Sequence, residues 1–199
     1  PGFGFLRDLF TEPYIVNWRL TRLGATSPQM PGITVPYEAF PGSIGVMLGE
    51  PEIAMIKARE ADLAGAGGVV LGPSAGGALP ASVCGENGSH TADCLRTIPP
   101  RENGGNMDVQ QMQIGTRILF PCFIDGCGLF AGDIHYAQGD GEVSGTAIEM
   151  GTVTTLRVTK IHPGKGSSLD MPATIGNDQI IDMEPTRFYQ TIGIPLKGK

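Results

Sequence analysis

The stretch V-T-T-L-R-V-T-K-I, residues 153–161, decides the fold class. Val, Thr and Ile fill most of it. Branching at Cβ restricts side-chain rotamers in a helix and packs well on a pleated surface, so the run predicts a strand. Shorter apolar runs surround it at Tyr14 to Leu20, Ile33 to Val35, Ile44 to Leu48, Val69 to Leu71, Arg117 to Phe120, Cys122 to Ile124, Gly145 to Met150 and Ile180 to Met183. Turn residues cut them apart. The chain holds 30 Gly and 16 Pro among 199 residues, well above ordinary usage. Such punctuation excludes a helix bundle. A collagen-like chain is excluded too, because no Gly-X-Y period exists.

One helix interrupts the pattern. Residues 51–65 open on Pro51, with Glu50 and Glu52 at the positive end, and continue through strong helix formers to Gly65, Gly67 and Gly68. Its apolar face, Ile53, Ile56 and Leu63, is thin, which predicts a surface helix. Residues 72–92 read as a long Gly- and Pro-rich loop. The expected fold is mainly β, a β-rich α+β chain with sandwich- or barrel-like sheets and one or two short helices.

A hydrophobic fraction of 41% with 17% charged residues argues for a packed core rather than disorder. The net charge of −6 and the absence of a basic stripe argue against nucleic acid and anionic membranes as partners. No apolar run reaches the ~18 residues of a bilayer crossing. Cys84, Cys94, Cys122 and Cys127 form no C-x-x-C pair, so the expectation is four reduced thiols in a cytoplasmic protein. The sequon Asn87-Gly88-Ser89 has no secretory signal beside it. The opening Pro1-Gly2-Phe3-Gly4-Phe5 reads as mid-protein sequence, so a segment of a longer chain is expected.

Several motifs fail. Gly164-Lys165-Gly166 lacks the rest of a phosphate loop, and Gly126-x-Gly128 is followed by Gly132 one residue too late for G-x-G-x-x-G. Residues 101–149 differ. Within 132–149, G-D-I-H-Y-A-Q-G-D-G-E-V-S-G-T-A-I-E gathers four carboxylates, a histidine, a glutamine and four glycines. In an extended segment Asp133 and His135 point to one face. They could share a metal ion, or form a plain Asp–His hydrogen bond. An ion needs a third ligand, from Asp108, His90 or elsewhere. Glu142, behind the turn Gly139-Asp140-Gly141, is a candidate general base, or else a solvated turn residue. Gln138 could contact a small substrate, or lie on the surface as an ordinary amide. Asn103-Gly104-Gly105-Asn106 offers amide groups for an oxyanion, or is a simple polar turn. Arg101-Glu102 could be an ion pair or surface charges, and Asp125-Gly126-Cys127-Gly128 reads as a hairpin turn. Nothing near Cys127 would lower its pKa, so it is not a candidate nucleophile.

At P-R-E-N-G-G-N-M-D (100–108), F-P-C-F-I-D-G-C-G-L (120–129), G-D-I-H-Y-A-Q-G-D-G-E (132–142) and G-T-A-I-E-M (145–150) the sequence resembles the acetamidase/formamidase family, closer to its formamidase branch. P-G-F-G-F-L and R-E-A-D-L-A-G-A-G-G-V-V-L extend the likeness over most of residues 1–160, and it is densest at 97–150. The resemblance implies a β-rich homo-oligomer that hydrolyses a short aliphatic amide, formamide first, to its carboxylate and ammonia. It also implies that residues 1–199 are the central portion of a longer chain, with the motif-dense segment as the active site. On this reading Glu142, Asn106 and His135 are catalytic, and Gln138 and Asn103 bind substrate. Asp133, His135 and Asp108 hold a divalent metal, zinc or calcium, and no organic cofactor is needed. Two other readings compete: a non-catalytic metal-stabilised binding module, and a hydrolase of another small C–N compound such as a urea-like one.

Overall fold

Closely spaced glycines and prolines keep the strands short. The computed structural model describes residues 8–12, 14–68, 70, 80–162, 169–177 and 187–191. Within them lie strands β1 (Arg19–Thr21), β2 (Gly24–Ser27), β3 (Met30–Val35), β4 (Phe40–Gly45), β5 (Gly104–Asn106), β6 (Arg117–Leu119), β7 (Phe130–Ala137), β8 (Ile148–Glu149), β9 (Ala173–Asn177) and β10 (Arg187–Thr191). They form three sheets, ordered β1-β2-β3, β10-β9-β6 and β5-β4-β7-β8. All pairings are antiparallel. None of the three sheets closes into a barrel. The mainly β expectation holds.

The third sheet positions the site. β4 is one of its two inner strands, beside β7. It pairs with β5 through Ser43 opposite Asn106, and with β7 through Phe40 opposite His135 and Ser43 opposite Gly132. β7 meets β8 through His135 opposite Glu149. Two apolar clusters anchor this sheet. Ala25, Tyr136 and Ala137 join it to the first sheet, where the Tyr136 hydroxyl donates to the Thr21 carbonyl at 2.6 Å. Phe40, Ile44 and Met112 join it to the second sheet, with Ile118 packed against them.

Helix α1 (Glu50–Gly65) begins one residue before the expected Pro51, which sits in its first turn, and the Glu52 carboxylate accepts the Gly49 N–H at 3.1 Å. Ile56 is its buried residue. Ion pairs supply much of its docking. Arg59 binds Glu102 through two hydrogen bonds, and Glu60 binds Arg96 and Arg101. Arg101 and Glu102 are thus neither paired with each other nor free on the surface: each locks the approach to β5 onto the helix.

Three expectations are corrected. Val153–Ile161 joins no ladder among the described residues, and Val153 is 94% exposed. β-propensity expresses packing against neighbours, and this run has the composition without the neighbours. The cysteines are not free thiols: Cys84 bonds Cys94 and Cys122 bonds Cys127, with Cα separations of 5.7 and 4.8 Å. Those pairings remove the cysteine-based argument for a cytoplasmic chain. The 125–128 segment is a turn, with Cys127 N–H donating to Ile124 O, but its flanks β6 and β7 lie in different sheets. Of the loop at 72–92, residues 80–92 carry a short helix α2 (Ala81–Cys84) and a 3-10 turn at Thr91–Asp93. Its first part, the strands expected at 69–71 and 180–183 and the Gly164-Lys165-Gly166 motif fall wholly or mostly outside the described residues. No helix among the described residues is long and apolar enough to cross a membrane.

Candidate active site

β7 delivers Asp133 and His135 to the same place. His135 is fully buried, its ring meeting Phe40 edge-on at a centroid distance of 5.1 Å. Its Nε2 lies 3.2 Å from an Asp133 oxygen and 3.9 Å from Oδ1 of Asp108. Its Nδ1 lies 2.8 Å from Gln138 Oε1. Gln138 Nε2 donates to the Asp108 carbonyl at 2.8 Å. The Gly42 carbonyl accepts the N–H groups of Met107 and Asp108, which fixes Asp108 against β4. A Cβ on Gly42 would stand 2.6 Å from His135 Nε2 and 2.8 Å from an Asp133 oxygen, so glycine is needed for this approach.

The site's carboxylates sit on unusual backbone. Only four described non-glycine residues have positive φ: Asp108 (51°), Cys127 (57°), Asp133 (53°) and Glu142 (45°). Three of these four belong to one cluster. Such conformations cost energy and collect at functional sites.

The electrostatics are equally crowded. Asp108 and Glu142 lie close enough to perturb each other, and Asp133 and Glu149 lie close by. Burial, then the Glu142 and Asp133 carboxylates, push Asp108 up to about 7. Burial also raises Glu142, and Asp133 and Glu149 add to this, while His135 and Asp108 act the other way. A raised carboxyl beside another carboxylate can hold a proton for transfer at neutral pH.

The cluster fits a cation. Ligand atoms of Asp108, Asp133 and His135 lie within 4.8 Å of one another, as do those of His135, Glu142 and Glu149. Oδ1 of Asp108 is buried without a hydrogen-bond partner. Orphaned buried acceptors are rare, and a cation at this place would satisfy this one.

The other expected residues fall in different places. Asn106 borders the cluster: its Oδ1 accepts from Ser43 at 2.9 Å, and its Nδ2 donates to the Ile98 carbonyl at 3.1 Å. Asn103 does not face the cluster. It is buried and grips the Val46 carbonyl at 2.6 Å, so its amide supports the far end of β4 instead of awaiting substrate. His90 is exposed and lies against Asp93, and it belongs to neither group of candidate cation ligands. Sequence reasoning missed Ser43, which touches both Asn106 and Asp133, and it missed Gly42 and Glu149. Glu149 lay inside a motif already quoted. Ser43 and Gly42 are distant in sequence, and only the β4 register brings them in.

The model of the acetamidase/formamidase family matches residues 1–199. Over 170 residues the chain is 35% identical to an acetamidase of Mycolicibacterium smegmatis, a match spanning 82% of this chain and 42% of that one. It is 31% identical to a formamidase of Methylophilus methylotrophus over the same shares. The chain therefore spans about 42% of the length of these curated relatives. Among solved structures it is similar to a gamma lactamase from Delftia acidovorans, with a TM-score of 0.65 and 35% identity over 75% of this chain and 38% of that one.

Proposed function

The chain belongs to the acetamidase/formamidase family, and from that premise we propose that it hydrolyses a short aliphatic amide to a carboxylate and ammonia. The observation that carries this is the gathering of Asp108, Asp133 and Glu142 around buried His135. Amides are poor electrophiles with a poor leaving group. Their hydrolysis needs a base for water, donors for the oxyanion and an acid for the departing nitrogen. Glu142 takes the proton from water and returns it to the nitrogen. Asn106, with one N–H committed to Ile98 and its oxygen held by Ser43, turns its second N–H to the oxyanion.

Asp133, His135 and Asp108 would hold a divalent cation, which would polarise the amide carbonyl. The imidazole in the set favours zinc over calcium, whose ligands are oxygens. Formamide and acetamide are both supported by the named relatives, and the gamma lactamase adds a cyclic amide to the panel worth testing. Formamide has three heavy atoms, so at ~1.5 kcal/mol per atom its binding reaches only about −4.5 kcal/mol. The expected KM is therefore millimolar, and selection works by excluding larger amides. A homo-oligomer is part of the same proposal.

The test is ammonia release from millimolar formamide and acetamide, by the cation-supplied protein and by Glu142→Gln. Wild-type release with a loss of ~10²–10⁴ in the variant is expected. A folded Glu142→Gln with near-full activity would remove Glu142 from the mechanism.

A further inference from the structure

Gln138 is tied at both ends of its amide, and the two ties have a chemical consequence for His135. A carbonyl oxygen can only accept. The amide end that meets the Asp108 carbonyl at 2.8 Å is therefore the nitrogen. The opposite end, 2.8 Å from His135 Nδ1, is then the oxygen, which also only accepts. Nδ1 must carry the proton. In a neutral imidazole that leaves Nε2 with its lone pair.

Nε2 faces acceptors alone: an Asp133 oxygen at 3.2 Å and the partnerless Asp108 Oδ1 at 3.9 Å. Three lone-pair donors converge there, and Gly42 gives up its Cβ to let the ring approach. We propose that Gln138 is a positioning residue that holds His135 in its Nδ1–H form and thereby presents Nε2, with Asp133 and Asp108, as a cation-ligating face. This replaces the substrate contact expected of Gln138 from the sequence. It rests on reading the cluster as a cation-assisted hydrolytic site. The same glutamine clamps the Asp108 backbone and the His135 ring together, so one side chain sets both the protonation and the spacing of two ligands.

The test reads the ring itself. Protein labelled with 15N-histidine is stripped with a chelator and observed by long-range 1H–15N correlation at about pH 9, where a histidine ring is ordinarily neutral. His135 is assigned by loss of its signals in His135→Gln, leaving His90 and His162 as internal references. The wild type is expected to show a protonated Nδ1 and a bare Nε2. Gln138→Met, which can accept nothing comparable, is expected to show a mixture. Gln138→Glu, whose carboxylate still accepts, is expected to keep the Nδ1–H form. Zinc affinity, measured by competition with a chromophoric chelator, is expected to fall ~10–100-fold in Gln138→Met and to recover in Gln138→Glu. A wild-type ring protonated at Nε2, alone or together with Nδ1, would overturn the proposal even if the variants failed to fold. So would an unchanged tautomer and unchanged zinc affinity in Gln138→Met. If the tautomer and zinc results hold but no amide is hydrolysed, the proposed reaction fails and this inference stands. If amide is hydrolysed but Nε2 carries the proton, the reverse is true.

Discussion

Gly42 shows how little room the site leaves. Its missing Cβ would lie 2.6 Å from His135 Nε2, and the ring cannot yield easily because Phe40 and Gln138 hold it. Gly42→Ala is expected to lose most activity and about 1–3 kcal/mol of stability, the usual cost of overpacking. Denaturant unfolding beside an ammonia-release assay checks both. Asp108 gives a pH prediction. Its carboxyl stays protonated to about 7 in the fold but ionises near 4 when unfolded. The stabilisation is therefore complete below about pH 4 and is lost as pH rises through about 7. In chelator, the wild type is expected to melt higher at about pH 5 than at about pH 8, and Asp108→Asn is expected to flatten that slope. The residue types of the site were readable before the fold because carboxylates, histidine and glycines crowd into 132–149. Asn103 was misread because an amide in a Gly-rich turn looks the same whether it meets a substrate or a backbone carbonyl.

At the scale of elements, α1 depends on charge as much as on apolar packing. Glu60 faces two guanidinium groups, of which Arg101 is nearly buried. Glu60→Gln is expected to cost about 1–3 kcal/mol, since charge-assisted hydrogen bonds are lost from a partly sheltered site. Equilibrium unfolding in urea would show it, with KM unchanged if the network is structural. The helix itself was legible from Pro51 and its glycine stop, both of which act locally. The strand expected at 153–161 was not, because branched side chains report a preference and a ladder needs a partner. The register of β4 was also hidden: nothing in F-P-G-S-I-G announces that Ser43 will stand opposite Asn106 and Gly132.

Over the whole molecule, three small sheets leave much of the holding together to links between them. Tyr136 bonds across to Thr21, and the two disulfides tie their own loops. Closing the loop between Cys84 and Cys94, ten residues apart, restricts the unfolded chain and is worth about 2–3 kcal/mol. Reductant is expected to lower the urea midpoint by at least a corresponding amount, and a Cys84→Ser/Cys94→Ser double variant should keep only the share due to Cys122–Cys127. The fold class was legible because punctuation by glycine and proline acts everywhere along the chain. The disulfides were not, because spacing alone cannot say which sulfurs meet.

The order of the site along β7 and the turn beyond it has one more consequence. Asp133, His135, Gln138, Glu142 and Glu149 are supplied by a single stretch of chain, while Asp108 and Ser43 arrive from two others. Short loops close at little entropic cost. Most of the ligands can therefore gather as soon as the β7–β8 hairpin forms, before the sheet is complete. The candidate site is arranged as a cassette: a recombination that exchanged this one stretch would carry most of the cluster with it, whereas a one-residue insertion inside it would scatter the cluster although every side chain was still present.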